Sequence, residues 1–409
     1  MVLLALLVPA SAAAAVDPGT GGATGSPGAE PAPATPAGKT PFDRQGMWIW
    51  YVSKSEGGSV PAILARARAA GIGTVYVKSG DGLNLWSQFN RPLIRRLQAG
   101  GLDVCAWQFV YGDRPAAEAR VAAISIARGA DCFVIDAEGD YEGKYAAADL
   151  YMRKLRAAAG ATYPIGLAGF PYVDYHPSYP YSVFLGPGGA TFNTPQMYWK
   201  TIGVSVREVF EHTYLYNRIW GHPIYPLGQT YEAPGNQALM QFRRYSASHG
   251  GVPPNWWDWQ ETAGREWGAL AARSAARPVS GYEPTTEHPL LKPGSRGDMV
   301  VWAQEHLNSA GEEVPVTGIY GKLTRAAVRS FQEGKGMKVD GRIGTDTWDA
   351  LLAYEPTPVR WAARASAARA ASASRGPSAS RAAVPVPPAR PLSADLPAKA
   401  YEIPPGPGR

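Results

Sequence analysis

The sequence predicts an α/β protein: a (β/α)8 barrel of the TIM type followed by a small three-helix domain, with unstructured termini. Three observations carry this. Between residues 46 and 275, eight short apolar runs alternate with helical segments, over roughly the ~250 residues such a barrel needs. After Glu287 the pattern changes to helices alone, opened by a glycine turn that occurs twice. Over residues 16–42, and again after Tyr354, large apolar side chains nearly vanish and Pro, Gly, Ala and Thr take over. Such segments bury too little surface to offset chain entropy. The expected divisions are a leader over 1–15, a linker over 16–42, the barrel over 43–277, the helical domain over 285–354 and a basic tail over 355–409.

The strand-like runs are Met47–Val52, Thr74–Lys78, Val104–Phe109, Cys132–Asp136, Ile165–Phe170, Phe192–Tyr198, Ile224–Gln229 and Trp256–Gln260. The segment from Ser59 to Gly71 reads as a helix, with a cap, a proline in its first turn and a closing glycine. Further helices are expected at Pro115–Arg128, Ala146–Ala158, Val206–Ile219 and Gln237–Ser248. An open doubly wound sheet is disfavoured, because no Gly-x-Gly-x-x-Gly or Walker loop follows a strand.

In a barrel of this type, chemistry sits at the carboxyl ends of the strands. Here those ends carry Trp, Tyr, Gln and carboxylates rather than small apolar residues. The candidate substrate-binding residues are Trp50, Lys78, Gln108, Phe170, Gln196, Tyr198, Gln229, Trp256, Asp258 and Gln260. Aromatic faces stack on sugar rings, and amides and carboxylates bond hydroxyls, so the mouth reads as a carbohydrate site. Asp136 and Glu138 are the candidate catalytic pair. Two apart on a strand, they point to one face, and glycoside hydrolysis commonly uses two carboxyl groups. Asp140 and Glu142 lie beyond the strand end and read as solvated loop.

The Asp-x-Glu ending strand four, Gly166-Leu-Ala-Gly-Phe170 on strand five and the closing Trp259-Gln260 are similar to the glycoside hydrolase family 25 lysozymes. That resemblance implies Glu138 as general acid, with Asp136 orienting an N-acetyl group or stabilising positive charge. The family opens with Gly-x-Asp on strand one and carries another Asp on strand three. This chain has Gly46-Met47-Trp48 and Trp107-Gln108 at those places. The residues therefore keep two readings open: a glycan-cleaving barrel, or a non-catalytic carbohydrate-binding scaffold.

The helical domain contains two half-motifs, Val316-Thr-Gly-Ile-Tyr-Gly-Lys-Leu-Thr324 and Val339-Asp-Gly-Arg-Ile-Gly-Thr-Asp-Thr347, each leading into a helix. Thr324, or the Asp346/Thr347 pair, lies where a helix start wants a side-chain oxygen. Val300, Ala303 and Leu307 form one apolar stripe, and Ala327, Val328 and Phe331 another. With the opening Gly294-Ser-Arg-Gly-Asp298, these motifs strongly resemble the peptidoglycan-binding domain type 1 family. The resemblance implies non-covalent attachment to the wall by a self-contained domain without catalysis of its own. Tyr320 and Arg342 are the candidate peptidoglycan-binding residues, expected to be partly exposed, while Phe331 and Trp348 are expected in the core.

Composition places the chain. The run from Met1 to Ala12 is apolar, ends in small residues and is shorter than the ~20 residues a membrane span needs, so it reads as a secretory leader. A secreted, wall-associated monomer without a membrane span is expected. The formal net charge is +6. Residues 356–409 hold seven Arg and one Lys against Asp395 and Glu402, so the whole excess lies in the tail. Anionic wall polymers suit such a tail better than nucleic acid in an exported protein. The six histidines show no metal-ligand spacing, so no metal or cofactor is expected. Cys105 and Cys132 fall on neighbouring strands. A disulfide is open to them, but buried free thiols are the simpler expectation.

Overall fold

A computed structural model of the chain describes residues 39–374. The leader, most of the linker and the tail beyond residue 374 lie outside the described residues. Eight parallel strands alternate with helices. They run β1 (Gly46–Ile49), α1 (Val60–Ala70), β2 (Thr74–Asp81), a short hairpin strand β3 (Asn84–Leu85), α2 (Arg91–Ala99), β4 (Asp103–Val110), α3 (Pro115–Ala127), β5 (Cys132–Ala137) and α4 (Tyr145–Ala159). The second half is β6 (Ile165–Ala168), α5 (Tyr181–Phe184), β7 (Phe192–Asn193), α6 (Trp199–Ile202), α7 (Val206–Asn217), β8 (Leu227–Gln229), α8 (Asn236–Ser248), β9 (Asn255–Trp257) and α9 (Gly264–Ala271). Neighbours pair in the order β7-β6-β5-β4-β2-β1-β9-β8. Parallel bridges Asn193–Ile224 and Gln196–Leu227 close the ring between its two ends.

All eight expected strands are present, and the five expected helices are found within a few residues of their predicted ends. Gly71 stops α1 in the left-handed conformation, φ 68°, while Ser59 makes no side-chain cap. Four helices without a clear periodic signal, α2, α5, α6 and α9, complete the barrel.

Alternation along each strand sorts the side chains. Outward-facing Met47, Ile49, Val75, Val77, Val104, Ala106, Phe133 and Ile135 pack beneath the helices. Inward-facing Trp48, Tyr76, Cys105, Trp107, Cys132, Val134, Ala168 and Leu227 fill the interior. Cys105 and Cys132 pair in register across β4 and β5 and form a disulfide, which corrects the expectation of free thiols. The strand register brings the two sulfurs together, which their distance in sequence does not reveal.

The barrel also begins earlier than expected. Phe42, assigned to the linker, plugs the floor, with its ring 4.4 Å from Phe192 and 5.5 Å from Tyr225. Gly166 makes room for it: a Cβ there would lie 2.9 Å from the Phe42 ring. Thr74 donates a 2.6 Å hydrogen bond to the Pro41 carbonyl and holds the plug in place.

The second domain contains α10 (Asp298–Ser309), α11 (Lys322–Gly334) and α12 (Thr345–Leu352). Each half-motif is built on a buried glutamine. Gln304 accepts from the Thr317 and Gly318 amides and donates to Thr324 Oγ1 at 2.9 Å. Gln332 accepts from the Gly341 amide and donates to Thr347 Oγ1 at 3.2 Å. The two threonines serve these glutamines instead of capping their helices. Phe331 and Trp348 are core, as expected. Tyr320 is not partly exposed; it is 1% accessible, with its hydroxyl donating to the Gly341 carbonyl. Arg342 is exposed. The tail was expected to be unstructured from residue 355. Among its described residues, Trp361–Ser374 form a helix, α13, whose Trp361 ring lies 4.7 Å from Tyr145 on α4.

The buried plug yields a first prediction. Phe42→Ala should destabilise the barrel by about 3–5 kcal/mol, the usual cost of emptying a buried aromatic site. Urea unfolding followed by tryptophan fluorescence measures it. A loss under ~1 kcal/mol would place Phe42 outside the folding unit.

Candidate active site

The strands end in one aromatic-walled mouth. Asp136 is the last inward residue of β5, and the chain leaves the strand at Glu138. Asp136 is 7% exposed, whereas Glu138 is half-buried and nearer the opening. One atom joins them: Gln196 Nε2 donates to Asp136 Oδ1 at 3.2 Å and to Glu138 Oε1 at 3.1 Å. The Gln196 backbone is fixed in turn, because its amide donates to the Gly169 carbonyl at 3.0 Å. Burial, and then the negative charge of Glu138, push the Asp136 carboxyl well above the ordinary carboxylate range, while Lys78 pulls the other way.

Lys78 is an interior cation. Its Nζ lies 2.7 Å from Asp81 Oδ2 and 4.5, 4.8 and 4.7 Å from the ring centres of Trp50, Trp86 and Trp107. Cation–π attraction and one ion pair hold its charge beneath the mouth. Tyr111 donates to the other Asp81 oxygen at 2.8 Å. Lys78 is thus part of the wall and is not a free ligand for substrate. Trp50 and Tyr51 stack with an interplanar angle of 3°. Tyr198 is buried beside Tyr231, and burial is the main cause that raises its hydroxyl well above the ordinary phenol range.

The remaining sequence candidates fall in different places. Gln108 points outward and donates to the Gly82 and Glu118 carbonyls at 2.8 and 3.2 Å, so strand alternation removes it from the mouth. Trp256 also points outward, packing on Phe242 of α8. Its neighbour Trp257 takes the inward place, 5.4 Å from Trp107 and 5.6 Å from Trp50. Gln229 is fully buried and accepts from the Lys200 and Thr201 amides, which makes it a brace for α6. Phe170 lies under His176, ring centres 3.4 Å apart, in the packing below the helices. Gln260 stays at the rim, where its side chain accepts from the Tyr51 amide at 3.3 Å. Of the ten binding candidates, Trp50, Gln196 and Tyr198 lie at the mouth. Trp86, Trp257 and Tyr111 belong there too. Alternation counted from Trp48 would have selected Trp257 over Trp256.

Asp258 ends β9 on the far side of the ring from β5. It is 1% exposed, and its Oδ1 accepts from the Glu261 amide at 3.3 Å. Burial is the main cause that raises its carboxyl to about 8, and the Glu261 charge adds to it. The structure shows no His/Cys/Asp/Glu group suited to a metal among the described residues.

A stability prediction follows from Asp258. An unfolded aspartate titrates near ~3.9. Between that value and about 8 the folded chain holds a proton that the unfolded chain has lost. Asp258 therefore favours the fold below pH ~4, and this contribution disappears as pH rises towards 8. Asp258→Asn should flatten the fall in melting temperature across that window. An unchanged slope would show that the carboxyl is ionised in the fold.

Comparison with known proteins adds the following. Residues 296–351 match the family described as "Putative peptidoglycan binding domain". A Kitasatospora aureofaciens protein, described as an uncharacterized protein in the bpoA1 3' region, is 40% identical over 89 residues. That segment is 21% of this chain and 73% of the relative. A Clostridioides difficile peptidoglycan-binding protein of known structure is 38% identical, with a TM-score of 0.15, over 15% of this chain and 40% of its own. The Thermotoga petrophila endo-β-1,4-mannanase has a TM-score of 0.41 at 12% identity, covering 54% of this chain and 68% of its own. A Streptomyces thermolilacinus β-mannanase has a TM-score of 0.41 at 16% identity, covering 58% and 90%. The chain belongs to the family of the Kitasatospora protein, and it carries a member of the peptidoglycan-binding domain family at residues 296–351.

Proposed function

We propose that the chain is an exported, wall-attached glycoside hydrolase whose barrel cleaves an envelope glycan. The single observation that supports this best is the Gln196 bridge. It holds one buried carboxyl and one accessible carboxyl together on the floor of an indole- and phenol-lined mouth. The disulfide fits an oxidising compartment, and so supports export. The helical domain supplies wall attachment, with exposed Arg342 as its candidate contact; buried Tyr320 contributes from inside the fold.

The bridge also limits the chemistry. Carboxyl oxygens that both reach one amide nitrogen lie on the same wall of the mouth. We therefore assign both to one side of the bound sugar, rather than to the opposite faces that acid and nucleophile take in the usual two-carboxylate arrangement. Glu138, nearer the opening, is the proton donor to the leaving oxygen. Asp136, deep and close to Lys78, shares the proton of the pair. The attack on the anomeric carbon then comes from the substrate's own 2-acetamido oxygen, which Asp136 orients. The family 25 resemblance implies the same acid, Glu138, with Asp136 orienting the N-acetyl group or stabilising positive charge. Water completes the cycle by opening the cyclic intermediate, giving its proton to ionised Glu138. The preferred substrate is therefore a glycan with N-acetylated amino sugars, such as peptidoglycan.

A carbohydrate-binding scaffold is the second reading, favoured by the lack of acids at Trp48 and Trp107. Incubation with isolated walls separates the two, with new reducing ends and soluble fragments read by mass spectrometry. Glu138→Gln should lower turnover about 10²–10⁴-fold while wall binding survives, because the transferable proton is gone but the shape is kept. Binding without release of any fragment from any wall would support the scaffold.

A further inference from the structure

A domain carried on a flexible tether keeps a polar surface all round. The helical domain does not. Every residue of α10 from Asp298 to Leu307 is buried, although only one stripe of it faces its own domain's core. The other side meets the barrel. Asp298 is 1% exposed and accepts from the Ser182 amide at 2.7 Å and from Ser182 Oγ at 2.6 Å. Its own amide donates to the Pro177 carbonyl at 2.7 Å. Trp302 Nε1 donates to the Ile219 carbonyl at 2.7 Å, and its ring lies 5.4 Å from Trp220. Gly297, at φ 106°, is needed at this seam, since a Cβ would come within 2.4 Å of the Pro177 carbonyl oxygen.

The segment after α12 crosses the same joint. Glu305 of α10, 1% exposed, accepts from the Val359 amide at 2.9 Å. Asp149 of α4 accepts from the Ala362 amide at 2.7 Å, and Trp361 packs on Tyr145. One strap thus touches both domains. The joint also reaches the rim of the mouth. Pro177 lies between His176 and Ser178, and both of these side chains hold Glu142, in the loop that follows Glu138, at 2.8 and 2.6 Å.

We propose that the barrel and the wall-binding domain are one rigid body, locked by Asp298, Trp302 and Glu305 of α10 and by the strap over residues 356–374. Attachment to the wall then fixes the direction in which the mouth meets the glycan, and the α10 face is closed to wall ligands. The inference stands on packing alone and does not depend on catalysis.

The test uses the full chain with a protease recognition sequence inserted at the exposed Gly281 turn. After complete cleavage the two halves should still elute together in gel filtration, at micromolar concentration and moderate salt. The same cut in a Asp298→Ala/Trp302→Ala chain should give two separate peaks. Calorimetry of uncut chains should change from one transition to two. Separation of the cut natural sequence would overturn the proposal. Continued association of the cut double variant would overturn the assignment of the lock to these residues. If the double variant does not fold, the cut natural sequence decides alone.

Discussion

A ring of eight short parallel strands must be filled from within, or it collapses into an open sheet. Here the filling is aromatic. Phe42, Phe192 and Tyr225 pack at the floor, and Trp48 lies 5.4 Å from both Tyr76 and Trp107 above them. Several strands are only two to four residues long, so backbone pairing by itself would hold them weakly. Burial of large rings compensates, at roughly 25 cal/mol per Å² of apolar surface removed from water. The Cys105–Cys132 bond ties two of the longer strands inside the same stack.

That filling dictates what the mouth can do. Because indoles occupy the upper interior, the polar groups among them lie in a medium that disfavours charge. Burial raises the Asp136 carboxyl well above the ordinary carboxylate range, and Lys78 takes Asp81 and three indoles as company. Gln196 then supplies both carboxyls with a donor, which a dry interior otherwise lacks. The rings suited to stacking on sugars are thus the rings that tune the acids beside them.

The helical domain follows a similar rule with different residues. Its halves are organised by Gln304 and Gln332, each meeting the amides and hydroxyl of one glycine turn. Satisfying these groups internally frees the outer side of α10 to carry Asp298 and Trp302 to the barrel. Wall attachment and the barrel mouth are therefore mechanically linked through the Pro177 loop, and are not separated by a flexible connector.

Much of this was legible in the sequence, since strand and helix periods are local properties. Eight apolar runs, the glycine turns, the core places of Phe331 and Trp348, and the Asp136–Glu138 pair all follow from spacing along the chain. What spacing could not decide was which neighbour each group meets. Near the frayed strand ends, the choice between inward and outward faces depends on alternation counted over the whole strand. That count selects Trp257 over Trp256 and turns Gln108 away from the mouth. The Cys105–Cys132 bond depends on register between strands, and the Phe42 plug on a gap left by Gly166 far along the chain. Tyr320 and Trp302 were apolar surfaces whose partners lie in other segments: the Gly341 turn for one, the barrel for the other. Each of these is a long-range contact, and only the closed tertiary structure brings its two sides together.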